Sequence, residues 1–460
     1  MLLFYTMIVV FLVGYGLIVF EHVNKIDKAA TALLTGAILW TILVIDAPNI
    51  LNLQLNSNWM KFSLEHVSTS GSHAALEFLT HHSVIEHLGD IASIIFFLLA
   101  AMTIVEVIDR YQGFRIITDR IHTTNRIKLL WITSVLTFFI SAVLDNLTTT
   151  IVMIALLQKL LTNKENRWLF SGMVVIAANA GGAWSPMGDV TTIMLWIGGN
   201  ITGAAVAKTL LLPSIVSMVV PLSILSLVMK GQTHRPLESP AESKEFIPFK
   251  ERLTILILGV AALIAVPVFK GLTQLPPFLG MLFGLGVLWI YTDRRLKRKA
   301  SLDKRKLSIV KILEHVDTAS VLFFLGILLA VAALQTAGHL NLMAHWLDKT
   351  VGNIYAINVI IGFLSSVVDN VPLVAASMGM YDLAPATGEA ISHFAVNGNF
   401  WTFLAYCAGT GGSILIIGSA AGVAAMSMEG IPFHWYFRRI SLLALIGYLA
   451  GAGTFLLMFS

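Results

Sequence analysis

Long apolar runs fill most of this chain, and short polar stretches separate them. A helix needs roughly 20 apolar residues to cross the hydrocarbon of a bilayer. Runs of that kind cover 2–20, 29–46, 89–109, 168–198, 205–229, 253–270, 276–292, 316–337, 399–428 and 432–458. Two further apolar stretches, 129–158 and 355–380, each hold a carboxylate and an amide near the middle. The first reads Ser141-Ala-Val-Leu-Asp145-Asn146 and the second Ser365-Ser-Val-Val-Asp369-Asn370. The pattern predicts an all-α polytopic membrane protein.

The polar stretches orient these runs. Basic residues concentrate in loops on the cytoplasmic side of a membrane protein. With 21–28, 110–128, 159–167, 230–252, 294–311 and the pair Arg438–Arg439 placed inside, 26 of the 30 Lys and Arg fall on one face. The exceptions are Lys61, Lys208, Lys270 and Lys349. The stretch 129–158 is basic on both flanks, and 355–380 is nearly free of basic residues on both. A spanning helix contrasts its two ends; neither stretch does. Both therefore read as re-entrant hairpins, one from the cytoplasm and one from outside, turning at the Asp-Asn pairs. Irregular backbone at membrane depth is tolerated where it is buried in protein or lines a wet cavity.

The chain also repeats itself. Asp90-Ile-Ala-Ser-Ile-Ile-Phe-Phe-Leu matches Asp317-Thr-Ala-Ser-Val-Leu-Phe-Phe-Leu at an offset of 227. The Asp-Asn turns match at 224, and Gly181, Gly182 and Gly188 match Gly411, Gly412 and Gly418 at 230. The expected organisation is a first unit over 1–229 (hairpin about 129–158), a polar, Pro-bearing cytoplasmic linker over 230–252, and a second unit over 253–460 (hairpin about 355–380). Five spans per unit is an odd number, so the second copy enters from the opposite side. Inverted-topology repeats are common in secondary transporters. The glycines and Pro186 weaken the helices at 168–198 and 399–428, so broken helices are expected at the centre, with freed backbone groups able to ligate ions.

Composition agrees. The chain is 57% hydrophobic and 12% charged, with a mean hydropathy of +0.81, against about a quarter charged in soluble domains. The net charge of +4 sits in inter-span loops and gives no reason to expect nucleic acid. The one cysteine, Cys407, excludes an internal disulfide and a thiolate metal cage. There is no Gly-x-x-x-x-Gly-Lys-Ser/Thr loop for ATP. A paired-aspartate intramembrane enzyme would need a substrate cleft, of which the sequence shows no sign, so a non-enzyme transporter without a resident cofactor is expected.

An ionisable residue inside a membrane marks a functional site by default. The oxygen set available is Asp145, Asp369 and Asp189, the amides of Asn146, Asn370 and Asn179, and the hydroxyls of Thr148, Thr191, Ser365, Ser413 and Ser419. Hard oxygen ligands suit hard cations, so Asp145, Asp369 and Asp189 are the expected Na⁺ ligands. No Lys or Arg lies in these four segments to anchor an organic anion. Desolvation favours the neutral form of a carboxylate, and one carboxylate holding either a proton or a cation is the simplest basis for exchange.

The motif around Asp145-Asn146, with Ala-Ala-Asn179-Ala-Gly-Gly-Ala-Trp-Ser-Pro-Met-Gly-Asp189-Val-Thr191-Thr downstream, resembles the NhaD-type sodium/proton antiporters over nearly the whole chain. The resemblance implies export of Na⁺, and of Li⁺, in exchange for H⁺ across a bacterial inner membrane. It further implies an elevator-like, alternating-access mechanism and a homodimer. It carries transport roles to Asp145, Asn179, Asp189 and Thr191, and in the second unit to Asp317, Ser365, Asp369 and Ser413; Asp90 sits where the family has an acidic residue. Dicarboxylate carriers of the same superfamily show a Ser-Asn-Thr turn where this chain has Asp-Asn. An anion carrier for arsenite or a dicarboxylate remains the alternative.

Several of these residues have structural readings too. Asp145, Asp369 and Asp189 can cap helix starts, as can Asp90 and Asp317. Glu106, Asp109 and Arg110 read as an interfacial charge cluster. The stretch 47–88 carries His66, His73, His81, His82 and His87 and reads as an exposed loop on the outer face, with pH sensing as the functional alternative.

Overall fold

The computed structural model describes residues 2–65, 71–118, 121, 123–229, 231–232, 247–297, 307–384 and 392–459. Most of the expected linker, the basic stretch 298–306 and His66 lie outside the described residues. Among those described, regular structure is helical; the one β feature is an isolated bridge between Asn125 and Gln232.

The first half runs through α1 (Leu2–Val19), α2 (Lys28–Ile45), α3 (Val84–Arg110), α4 (Arg126–Ser141), α5 (Asn146–Leu160), α6 (Lys164–Ala183), α7 (Val190–Ile197) and α8 (Gly203–Val228). The second runs through α9 (Phe249–Thr273), α10 (Pro277–Lys297), α11 (Thr318–Ala337), α12 (His339–Thr350), α13 (Ile354–Leu364), α14 (Asn370–Met380), α15 (Asn399–Gly411), α16 (Ala420–Glu429), α17 (Phe433–Arg439) and α18 (Ser441–Phe459). Among the described residues, seven helices are long and apolar enough to cross a membrane: α1, α2, Ser72–Arg110, α8, α9, α11 and α18. The chain is a multi-pass membrane protein.

The interruptions fall where the sequence placed them. α4 ends at Ser141 and α5 restarts at Asn146 behind the extended residue Asp145. α13 and α14 are divided the same way at Ser365–Asp369. The expected span 168–198 is α6 and α7, broken over Trp184–Asp189, and 399–428 is α15 and α16, broken over Gly412–Ser419. The residues that restart the two half-helices have nearly the same backbone: φ −146°, ψ 147° at Asp189 and φ −147°, ψ 154° at Ser419.

Three expectations are revised. The 47–88 stretch is largely helical, with helices at Ala47–Leu51, Ser57–Glu65 and Gly71–Glu77 and a π-helical turn at Phe78–Ser83 leading into α3. Its apolar residues Trp59, Phe62, Ala74, Phe78 and Leu79 are buried; they are too few and too interspersed with polar residues to register as a span. Asp90 is exposed inside the continuous α3 and caps no helix, whereas Asp317 caps α11 by accepting from the Ser320 backbone N–H at 3.0 Å. The run 432–458 divides at Ile440 into α17 and α18.

The helices pack as two compact units that do not follow the halves of the sequence. One comprises Met1–Ile95, Asp317–Ile357 and Val371–Ala395; the other comprises Phe96–Val316, Asn358–Asn370 and Val396–Ser460. In the first, α2 lies against α11 with the backbones touching: a Cβ at Gly36 would stand 2.8 Å from the Gly326 carbonyl oxygen. The Trp40 indole N–H donates to the Leu329 carbonyl across that contact at 3.0 Å. Thr336 gathers polar contacts at the end of α11, from Ser83 at 2.9 Å and His87 at 3.2 Å. In the second unit, α6 is the central helix; α4, α5, α15 and α16 pack on it, and α8 pairs with α18. From Phe170 to Ala183 every residue of α6 is buried.

Candidate functional site

The site is built where the two helix breaks of the second unit meet the two Asp-Asn turns. Asp189 ends the first break. Its carboxylate Oδ1 accepts from the Thr191 backbone N–H at 3.0 Å and from the Thr191 hydroxyl at 2.9 Å, so it caps α7. The side chain is 1% exposed. The capping leaves Oδ2 directed elsewhere, and Asn146 donates its amide to that oxygen at 2.6 Å. Asn370, from the other Asp-Asn turn, donates to the two carboxylate oxygens at 3.2 and 3.3 Å. One buried carboxylate thus collects amides from both turns.

The network continues across the second break. The Asn146 amide also donates to Asn179 Oδ1 at 3.0 Å. Asn179 in turn donates to the hydroxyls of Ser413 and Ser419, each at 2.9 Å. Ser419 caps α16, its hydroxyl accepting from the Gly422 backbone N–H at 3.2 Å. Asn146, Asn179, Asp189, Thr191, Asn370, Ser413 and Ser419 therefore form one hydrogen-bonded set.

The other expected residues stand beside that set. Asp145 turns back on its own helix, accepting from the Thr148 N–H and the Thr148 hydroxyl, both at 2.7 Å. Ser365 donates to the Ala408 carbonyl at 2.7 Å. Asp145 and Asp369 directly precede Asn146 and Asn370, the two asparagines that reach Asp189. Among the described residues no group of three or more His, Cys, Asp or Glu is placed to hold a metal ion. Asp90 and Asp317 belong to the first compact unit.

The second-half residues at the offsets found in the sequence repeat the contacts of the first. Ser141 donates to the Ala178 carbonyl at 2.6 Å as Ser365 does to that of Ala408. A Cβ on Gly181 would overlap the Phe138 carbonyl, and one on Gly411 would overlap the Gly362 carbonyl. The pairing fails at the charge: the position of Asp189 is taken by Ser419, and that of Asn179 by Gly409.

Sequence reasoning missed Ser141, although its partner by repeat, Ser365, was among the expected oxygen ligands. It also missed Tyr436, fully buried, whose hydroxyl donates to the Ser413 carbonyl inside the second break at 2.8 Å. No local signal marks Tyr436, because it lies on α17 beyond the half-helix it supports. Lys270 is a third: its ammonium donates to the Trp196 carbonyl at 3.0 Å and stands 5.0 Å from the centre of that indole, at the far end of α7. Its position against the basic-loop pattern was the available signal. At the far end of α16, Arg167 pairs with the buried Glu429 at 2.9 Å.

Chemically, this is a buried centre of carboxylate, amide and hydroxyl groups. Among the described residues no Lys, Arg or His forms an ion pair with Asp189.

Comparison with known proteins places the whole chain. A family model described as citrate transporter matches residues 15–397. Sodium/proton antiporter 1 of Arabidopsis thaliana is 44% identical over 456 residues, covering 98% of this chain and 72% of that protein. Sodium/proton antiporter 2 of the same plant is 43% identical, covering 98% of both chains. The Na(+)/H(+) antiporter NhaD of Halomonas elongata is 30% identical over 485 residues, covering 98% of this chain and 88% of that one. The chain belongs to the NhaD-type sodium/proton antiporters. In this NhaD-type chain, the likeness to the plant and Halomonas proteins covers 98% of the length.

Proposed function

We propose that this NhaD-type chain exchanges Na⁺, and also Li⁺, for H⁺ by alternating access, with Asp189 as the carboxylate for which cation and proton compete. The observation that carries the reading is the convergence of Asn146 and Asn370 on that one carboxylate. An ionised Asp189 offers oxygen to a hard cation. A protonated one is neutral and gives up that cation. Asn179, Ser413 and Ser419 supply further oxygens, and the nearby charges of Asp145 and Asp369 add to the attraction for a cation.

Residues 1–229 and 253–460 read as two copies of opposite topology, their hairpins entering from opposite faces. Movement of the hairpins and broken helices as a body would expose the centre to each side in turn. A homodimer and a bacterial inner membrane follow from the resemblance to the bacterial exchangers; the higher identity to two plant antiporters makes a plant membrane the competing location.

The description of the matching family model favours a second reading, an anion carrier. Against it stands the absence of Lys and Arg from 141–150, 179–192, 365–372 and 409–420. Inside-out vesicles with an acid interior and a pH-sensitive dye decide between the two. Na⁺ and Li⁺ should collapse the gradient, while K⁺, citrate and arsenite should not. As the pH falls, the apparent KM for Na⁺ should rise with Vmax unchanged. Collapse by citrate alone would replace cation exchange with anion transport.

A further inference from the structure

The short helix α17 faces two ways. Its inner face carries Tyr436, which holds the Ser413 carbonyl in the second helix break at 2.8 Å. Ile431 and Ile440, flanking α17, pack into the same buried cluster. Its outer face carries Phe433 and Phe437, 43% and 57% exposed, with rings 6.3 Å apart. Arg438 and Arg439 follow, both exposed, and neither has an acidic partner among the described residues. One residue later the chain breaks at Ile440 and enters the membrane-crossing α18.

The start of α6 extends this surface. Trp435 of α17 meets Trp168 edge to face at 5.2 Å, and the Lys164 ammonium stands 5.2 Å from the centre of the Trp168 ring. Arg167 is engaged by Glu429. Over Lys164–Phe170 and Phe433–Arg439 there is one acid, Glu165. Exposed aromatic rings beside uncompensated cations, next to the start of a membrane-crossing helix, match the cytoplasmic leaflet, whose surface is apolar below and negative above. A soluble partner would leave the two phenylalanines, at the mouth of a membrane span, without an apolar medium.

We propose that α17, with Lys164 and Trp168, docks the headgroup of an anionic phospholipid of the cytoplasmic leaflet, and that Tyr436 transmits its presence to the helix break at Ser413. The lipid phosphate lies with Arg438, Arg439 and Lys164, and the acyl region lies with Phe433 and Phe437. A shift of α17 moves Tyr436, and through Ser413 it moves the hydroxyl that Asn179 holds. This goes beyond cation exchange, because it assigns a lipid and a route from that lipid to the exchange centre.

Two measurements on the full-length protein test it. In the first, purified protein in neutral detergent is titrated with phosphatidylglycerol, phosphatidylcholine or inorganic phosphate, and retained ligand is read by native mass spectrometry. Phosphatidylglycerol alone should be retained, and Arg438→Gln/Arg439→Gln should weaken retention on the order of tenfold. Equal retention by the double variant, or inorganic phosphate displacing the lipid, overturns the assignment. A dimer that dissociates in the double variant without any lipid change makes α17 a contact between copies, and also overturns it. This readout needs no transport, so it stands even if Na⁺/H⁺ exchange fails.

In the second, the protein is reconstituted in phosphatidylcholine with and without phosphatidylglycerol. Wild-type protein should show a severalfold change in the apparent KM for Na⁺ between the two membranes, and the double variant should not. An anionic surface concentrates Na⁺ and H⁺ for both proteins alike, so the difference between them isolates the docked headgroup. Tyr436→Phe should keep the lipid yet lose the response. A full response in Tyr436→Phe would remove the route through Ser413.

Discussion

Asn146, the first residue of α5, donates its side-chain amide to the carboxylate of Asp189, the residue that restarts the broken helix 43 positions later, at 2.6 Å. The amide has a second acceptor in Asn179 of α6, which itself donates to Ser413 and Ser419, so this side chain joins the turn to the first helix break directly and to the second through Asn179. A hydrogen bond to a charged group contributes about 1.5–3 kcal/mol. Asn146→Leu should therefore raise the apparent KM for Na⁺ roughly 10- to 100-fold. Asn146→Asp exchanges a donor for a like charge against Asp189 and should be worse. Measured Na⁺-dependent proton flux in vesicles checks both; wild-type affinity in Asn146→Leu would remove the amide from the site.

Asp145 separates a cap from a charge. Its two oxygens are spent on Thr148 at the start of α5, and asparagine caps a helix about as well as aspartate. Asp145→Asn should leave thermal stability within about 0.5 kcal/mol, while exchange falls on the order of tenfold through loss of a negative charge near the cation. Asp145→Ala should add roughly 1 kcal/mol of destabilisation from the lost cap. If Asp145→Asn exchanges normally, the carboxylate acts as a cap alone.

How much of this was legible in the residues depended on contrast. An Asp-Asn pair or a Gly-Gly-x-x-Ser-Pro run inside an apolar stretch is conspicuous, and all four interruptions lie where that contrast placed them. What the sequence could not convey was rank. The two Asp-Asn pairs look equivalent, yet Asp145 faces its own helix while the two asparagines face Asp189. That choice depends on which side of each turn packs against its neighbouring helix, α6 for the first and α15 for the second, a long-range fact. The histidine-bearing stretch was misread for the opposite reason: short helices bury one or two rings each, such as Trp59 and Phe62, and a few apolar residues among polar ones give no strong period. The break at Ile440 has no glycine or proline beside it to announce it.

The glycines at the helix crossings give a paired test of the repeated contacts. Gly181 abuts the Phe138 carbonyl and Gly411 abuts the Gly362 carbonyl, backbone against backbone. A methyl at either place has nowhere to go without moving a hairpin arm, and overpacking costs about 1–3 kcal/mol. Gly181→Ala and Gly411→Ala should both lower thermal stability by about that amount. Gly16→Ala and Gly286→Ala, where nothing lies within 4 Å, serve as controls and should be neutral or slightly stabilising. Loss in only one of the first pair would mean that the two halves do not share the contact.

Lys270 tests whether the far end of a half-helix matters to the near end. α7 is eight residues long, with Asp189 capping its start and the Lys270 ammonium on the Trp196 carbonyl in its last turn. A cation at a helix C-terminus stabilises it by about 0.3–1 kcal/mol, which corresponds to roughly two- to fivefold in an equilibrium. Lys270→Met leaves the indole packing partner in place but removes the charge and the hydrogen bond. If α7 holds Asp189 in register, the apparent KM for Na⁺ should rise by roughly two- to fivefold at unchanged kcat. Lys270→Arg keeps a cation that can reach the same carbonyl and should recover most of the loss. A fall in kcat at constant KM would instead place Lys270 in the movement between states, because the cation site would then be intact in the ground state. No change in either quantity would make the contact a packing detail at the end of α7.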